Sequence, residues 1–151
     1  MQDAVNDDDR DAQEKLADKY PSLLKRNSWS GQLMPDRPRA HQVHVGEGWL
    51  PLIEELCVDI SRELRKHPDL IEPVYAVQIK EKFGGLRFYL SIGTEEINNL
   101  VREAERKSYT ICETCGQPGE SRKDLGWILT LCDEHYTGRK ALLDATNQLS
   151  D

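Results

Sequence analysis

Four residues of this chain have the types and the spacing to hold a metal ion: Cys112, Cys115, Cys132 and His135. Two residues separate the members of each pair, so one tight turn can bring both side chains to a single centre. The polar interval between the pairs contains Pro118, Gly119 and Gly126 and can fold them together. Three thiolates and an imidazole are a donor set for tetrahedral Zn2+, and four protein ligands leave that ion no open position for water. The spacing therefore predicts a structural zinc rather than a catalytic one. The plainer reading is three free thiols and an unrelated histidine in a reducing compartment.

Other chemistries fit the residues less well. A nuclease of the HNH kind needs histidines on the hairpin between its ligand pairs, and residues 116–131 contain none. A zinc deaminase needs His-x-Glu, and none of His41, His44, His67 and His135 is followed in that way. No His-Glu-x-x-His, Walker A or dinucleotide-binding glycine motif is present. No catalytic residue is assigned, and an enzyme with scattered groups such as Glu81, Lys80 and Arg87 is the least favoured class. His41 and His44 alternate with apolar residues and read as a short strand, since no further ligand clusters near them. His67, beside Pro68, marks the end of a helix.

The rest of the chain has to position this cluster. With 151 residues it is long enough for one domain with a real core. A hydrophobic fraction of 38% against 31% charged residues predicts a compact core under a thickly charged surface. No apolar run approaches the roughly 20 residues that span a bilayer, and Met1–Arg10 lacks the basic and apolar regions of a signal peptide. A soluble cytoplasmic protein is expected. Only Cys57 remains outside the cluster, so no intrachain disulfide framework is expected. The net charge is −7; three thiolates and one divalent ion together add −1, taking the loaded chain to −8. That balance works against general attraction to nucleic acid, and with no apolar span no membrane partner is expected.

Residues 1–10, with Asp3, Asp7, Asp8 and Asp9, read as a disordered acidic tail. Residues 11–108 read as an α+β body and 109–151 as a zinc-finger module packed on it. In the body a short helix is expected from Asp11 to Lys19, and a further apolar turn through Leu23 and Leu24. Trp29 and Met34 then suggest that the loop from Asn27 to Arg39 lies against the core. Trp49–Lys66 is the clearest helix, with Pro51 in its first turn and an apolar stripe of Ile53, Leu56, Cys57, Ile60 and Leu64. Cys57 lies in that stripe and reads as a small buried hydrophobe. Thr94 can cap a second helix from Glu95 to Lys107.

Between these helices, Val74–Leu90 reads as a β-hairpin turning at Gly84-Gly85. That turn would set Phe83 opposite Leu86, Lys82 opposite Arg87 and Lys80 opposite Tyr89. Tyr75, Val77, Ile79 and Phe83 would then line the apolar face, with Glu81 conspicuous among them. Lys80, Lys82, Arg87 and Tyr89 would face outward beside Gln78. This outer face is either a contact surface for anions or an ordinary solvated face. The expected fold class is α+β: a small antiparallel sheet packed with helices, plus the C-terminal module.

In that module Gly116 permits a knuckle turn, Glu120–Lys123 and Trp127–Leu131 can pair, and a helix runs from Cys132 to about Gln148. Ala141, Leu142, Ala145 and Leu149 give this helix an apolar side. Knuckle, hairpin and ligands in a first helical turn resemble a treble-clef zinc finger. A wider resemblance rests on Tyr20-Pro21-Ser-Leu, Gly46-Glu-Gly48-Trp49, Leu56-Cys57, the string from Lys80 to Tyr89, and the cluster itself. Together they resemble a family of small uncharacterised bacterial and bacteriophage proteins, which implies a bacterial or phage-infected cytoplasm and no particular activity. The function expected is a non-enzymatic, zinc-stabilised protein that binds another protein, in a phage setting a host factor. The alternative is a nucleic-acid binder using the Lys80–Arg87 face with Arg106, Lys107, Arg122 and Lys123.

Overall fold

A computed structural model describes residues 11–36 and 43–149 of the chain. The expected acidic tail and His41 lie outside the described residues. The described helices are α1 (Ala12–Lys19), α2 (Pro21–Leu24), α3 (Leu50–Leu64), α4 (Glu95–Ser108) and α5 (Asp133–Leu149). The described strands are β1 (Val43–His44), β2 (Ala76–Lys82), β3 (Gly85–Leu90), β4 (Glu120–Arg122) and β5 (Leu129–Leu131). No described helix is long and apolar enough to cross a membrane.

α1 and α4 start where a capping side chain satisfies a free N–H group. The Asp11 carboxylate accepts from the Glu14 N–H at 2.8 Å, and the Thr94 hydroxyl from the Ile97 N–H at 3.2 Å. The periodic stripe of α3 is buried as its spacing requires: Ile53, Leu56, Cys57, Ile60 and Leu64 all lie in the main core. α4 packs against both α3 and β3, and its Ile97, Val101 and Ala104 join the same core as Ile79, Leu86 and Phe88 of the sheet.

The main sheet has the order β1-β2-β3 and is mixed, not purely antiparallel. β1 runs parallel to β2, with Val43 opposite Ile79 and His44 opposite Lys80. The β2–β3 hairpin turns one residue earlier than its glycine pair suggests. Phe83 and Gly84 occupy the turn with φ of 54° and 81°, so Lys82 faces Gly85, Lys80 faces Arg87 and Gln78 faces Tyr89. Two positive φ values are what a type I′ turn requires. Relative to the expected register each residue moves two places along its partner, so the outward set of side chains is preserved.

Other expectations are corrected. Phe83, in the turn, is 65% exposed rather than inward. An irregularity between Ala76 and Gln78 resets the alternation, so Val74 and Ala76 are buried where Tyr75 and Val77 were expected. Glu81 sits on the inner face, as the alternation implies, and its carboxylate accepts the Gly84 N–H at 2.9 Å, which closes the turn. Trp29 does not lie against the body; it is 97% exposed, whereas Met34 is half-buried. The apolar side of α5 is likewise uncovered, with no residue of the helix buried.

Candidate metal centre

The C-terminal module is built on backbone turns that leave its ligands convergent. Gly116, with φ of 82°, donates its N–H to the Cys112 carbonyl at 2.8 Å and closes the knuckle. Such a φ carries little strain only for glycine. β4 and β5 pair antiparallel with Ser121 opposite Thr130, and β5 delivers Cys132 directly to the start of α5. Arg122 ties these parts together. Its guanidinium donates to the Leu131 carbonyl at 3.2 Å and to the Asp133 carboxylate at 2.7 Å, and stacks 4.5 Å from the Tyr136 ring centroid. The first turn of α5, which carries His135, is thereby fixed against the hairpin.

The result is one cluster. The ligating atoms of Cys112, Cys115, Cys132 and His135 all lie within 4.8 Å of one another. Cys132 Sγ is 3.2 Å from His135 Nδ1, Cys112 Sγ is 3.7 Å from that nitrogen, and Cys115 Sγ is 3.7 Å from Cys132 Sγ. A tetrahedral ion with metal–sulfur bonds of about 2.3 Å and metal–nitrogen bonds of about 2.0 Å has edges of about 3.5–3.8 Å. The cluster fits such an ion. Cys112 is fully buried and Cys115 is exposed. Burial pushes the Cys112 thiol up, but the backbone N–H groups of Cys132, Cys115 and Thr114, with the Cys115 side chain, outweigh it and bring the group down to about 6. These groups favour the thiolate, the form that ligates metal. Cys57 stays apart in the core, and burial, with a smaller push from Glu54, raises its thiol to about 12. His44 joins no metal cluster among the described residues.

The module's hold on the body falls on residues outside the expected site. The Glu113 carbonyl accepts the Gly48 N–H at 2.8 Å and its carboxylate accepts the Gly46 N–H at 3.0 Å. The Trp49 indole donates to the Ile111 carbonyl at 2.8 Å. A Cβ on Gly48 would lie 2.2 Å from the Cys112 carbonyl oxygen, so only glycine admits this approach. The β2–β3 turn makes a second dock, where the Thr130 hydroxyl donates to the Gly84 carbonyl at 2.6 Å. The only trace of this in the sequence is that Gly46-Glu-Gly48-Trp49 and Phe83-Gly84-Gly85 are dense in glycine beside aromatic residues.

The expected contact residues share one outward face. Lys80 and Arg87 are directly opposite, Tyr89 is 42% exposed, and Lys82 lies near the Phe83 ring at 5.7 Å from its centroid. Arg87 is oriented by the Tyr109 hydroxyl, to which it donates at 3.1 Å, and by the Leu86 carbonyl at 2.9 Å. The fold and site together define a small α+β protein with a C-terminal cluster of three cysteines and a histidine that could hold a metal ion. The chain matches no family model, and no curated protein or solved structure matches it.

Proposed function

We propose that this chain is a zinc-stabilised, non-catalytic binding protein whose ligand is another protein. The observation that carries the reading is the closed donor set. Three thiolates and an imidazole satisfy a tetrahedral ion, and the backbone beside them is committed to Gly46, Gly48 and Trp49. An ion held in this way organises the fold instead of meeting a substrate. The order of knuckle, hairpin and helix supports the treble-clef-like reading of the module, and thiolate ligation suits a reducing cytoplasm. A bacterial or bacteriophage setting rests on the Lys80–Tyr89 resemblance, and there the partner would be a host factor.

The nucleic-acid alternative loses three of the four cations it needs outside the hairpin. Arg106 pairs with Glu103, Lys107 lies 3.5 Å from Glu55, and Arg122 is engaged inside the module. Affinity capture with the tagged, metal-replete full chain, with and without nuclease, tests the reading. A protein partner that survives nuclease and is lost with Cys115→Ser supports it; capture that disappears on nuclease treatment overturns it.

A further inference from the structure

We propose that the outward face of the main sheet binds an acidic, extended segment of the protein partner, its carboxylates meeting Lys80, Lys82 and Arg87 with His44 at the edge. This rests on the reading of the chain as a protein-binding module and names the chemistry of what it binds.

Register makes the face. The parallel pairing of β1 sets His44 beside Lys80, and the antiparallel pairing of β3 sets Arg87 on its other side. Three basic side chains therefore stand in one row across three strands, which at about 4.8 Å per strand spans about 10 Å. Lys82 stands two residues further along β2, about 7 Å away. Lys80 and Arg87 are like charges directly opposite, an arrangement that destabilises a sheet, and the Glu105 charge beside Arg87 relieves it only in part. Among the described residues no carboxylate pairs with His44, Lys80 or Lys82, although acids outnumber bases in the chain. Elsewhere those acids are used: Lys19 with Glu54, Arg26 with Glu72, Lys66 with Glu63. Arg87 is already oriented by Tyr109 and Leu86, which uses only part of the donor capacity of its guanidinium. A ligand carboxylate would thus meet a preorganised donor and lose less entropy on binding. Tyr89, exposed on the same face beside Gln78, adds a hydroxyl.

The dimensions favour a short acidic segment over nucleic acid. Carboxylates on alternate residues of an extended chain recur about every 7 Å, which matches the step from Lys80 to Lys82. Nucleic-acid affinity depends on neutralising many phosphates in a line. A footprint this small inside a chain of charge −7 neutralises few of them and repels the remainder.

The test titrates metal-loaded full chain into a fluorescein-labelled hexapeptide of alternating Glu and Thr, read by anisotropy. A Gln/Thr hexapeptide and a 20-nucleotide oligothymidine run in parallel. The expected result is saturable binding of the Glu/Thr peptide alone, weakened at least tenfold by Lys80→Glu with Lys82→Glu and unchanged by Lys140→Glu. Arg87→Gln, which leaves both lysines in place, should weaken it as well, with metal content and melting temperature confirming that each variant is folded. Peptide binding indifferent to these changes overturns the inference, as does oligothymidine binding more tightly than the peptide. Absent peptide binding with nuclease-resistant partner capture intact overturns this surface alone. Capture that disappears with nuclease overturns the protein-binding reading and the inference with it.

Discussion

Glu113 lies between two ligands of the cluster, yet both its carbonyl and its carboxylate point to the body. Burial raises its carboxyl, an effect that the Gly46 N–H only partly offsets. Glu113→Gln keeps an acceptor for that N–H and should change stability little, whereas Glu113→Ala should cost about 1–2 kcal/mol in chemical denaturation. Cys57 shows the opposite extreme of a residue with no polar task. Its thiol keeps its proton up to about 12 in the fold, against 9.0 when free. The native state therefore binds more protons than the unfolded state between those values, and stability falls as pH rises above 9. Cys57→Ala should flatten that alkaline fall while loosening the core by about 1–2 kcal/mol. Iodoacetamide at pH 8 should leave Cys57 unlabelled in the metal-loaded protein, as peptide mass mapping would reveal. The ligands were legible because metal chemistry restricts residue type and spacing together. Glu113 was not, since a glutamate between two cysteines carries no mark of the distant N–H groups it will meet.

The hairpin shows how an element can be identified correctly and still be misregistered. Gly84 and Gly85 are adjacent, and a two-residue turn needs positive φ, so the pair reads as the turn. Only Gly84 serves that purpose. Gly85 is needed because the Tyr109 ring approaches to 2.2 Å of where its Cβ would sit, a contact across 24 positions of chain that no local pattern displays. Phe83 occupies the other turn position at φ 54°, where a bulky side chain is strained. Phe83→Asn should therefore raise stability by about 0.5–1 kcal/mol, since asparagine tolerates that conformation and the ring is mostly exposed. Gly85→Ala should destabilise clearly, and Tyr109→Ala in the same chain should recover part of the loss; a thermal-melt double-mutant cycle would measure the coupling. α3 offered no such ambiguity, because a long apolar stripe leaves a helix only one face to bury.

At the scale of the whole molecule, the metal cluster and the body are joined through contacts far apart in sequence. Gly46 and Glu113 are 67 positions apart, and Trp49 and Ile111 are 62. Composition foretold a compact core and apolar periodicity an α+β chain, but the sequence pattern divides it at about residue 108 and does not display the two glycine-rich turns that seat the module. Removing the metal should disturb more than the last forty or so residues, because binding free energy in such modules is folding free energy. Chelation, or substitution of any one of Cys112, Cys115, Cys132 and His135, should lower the melting temperature of the entire chain. Trp49 is fully buried at the junction, while Trp29 and Trp127 are exposed at 97% and 64%. A red shift of tryptophan emission on chelation would accordingly report the junction opening, and an unchanged spectrum would show that the body stands without the module.

The unequal exposure of the two knuckle thiols has a consequence in time. Cys115 faces solvent, but Cys112 is fully buried, with Gly48 packed against its backbone carbonyl. A competing chelator can reach the outer sulfur at once, but complete removal of the ion must wait until the inner one is uncovered. Loss of metal should therefore accelerate with chelator only up to a ceiling, the spontaneous opening rate of the junction. Gly48→Ala should raise that ceiling, turning metal exchange into a stopwatch for the breathing of the fold.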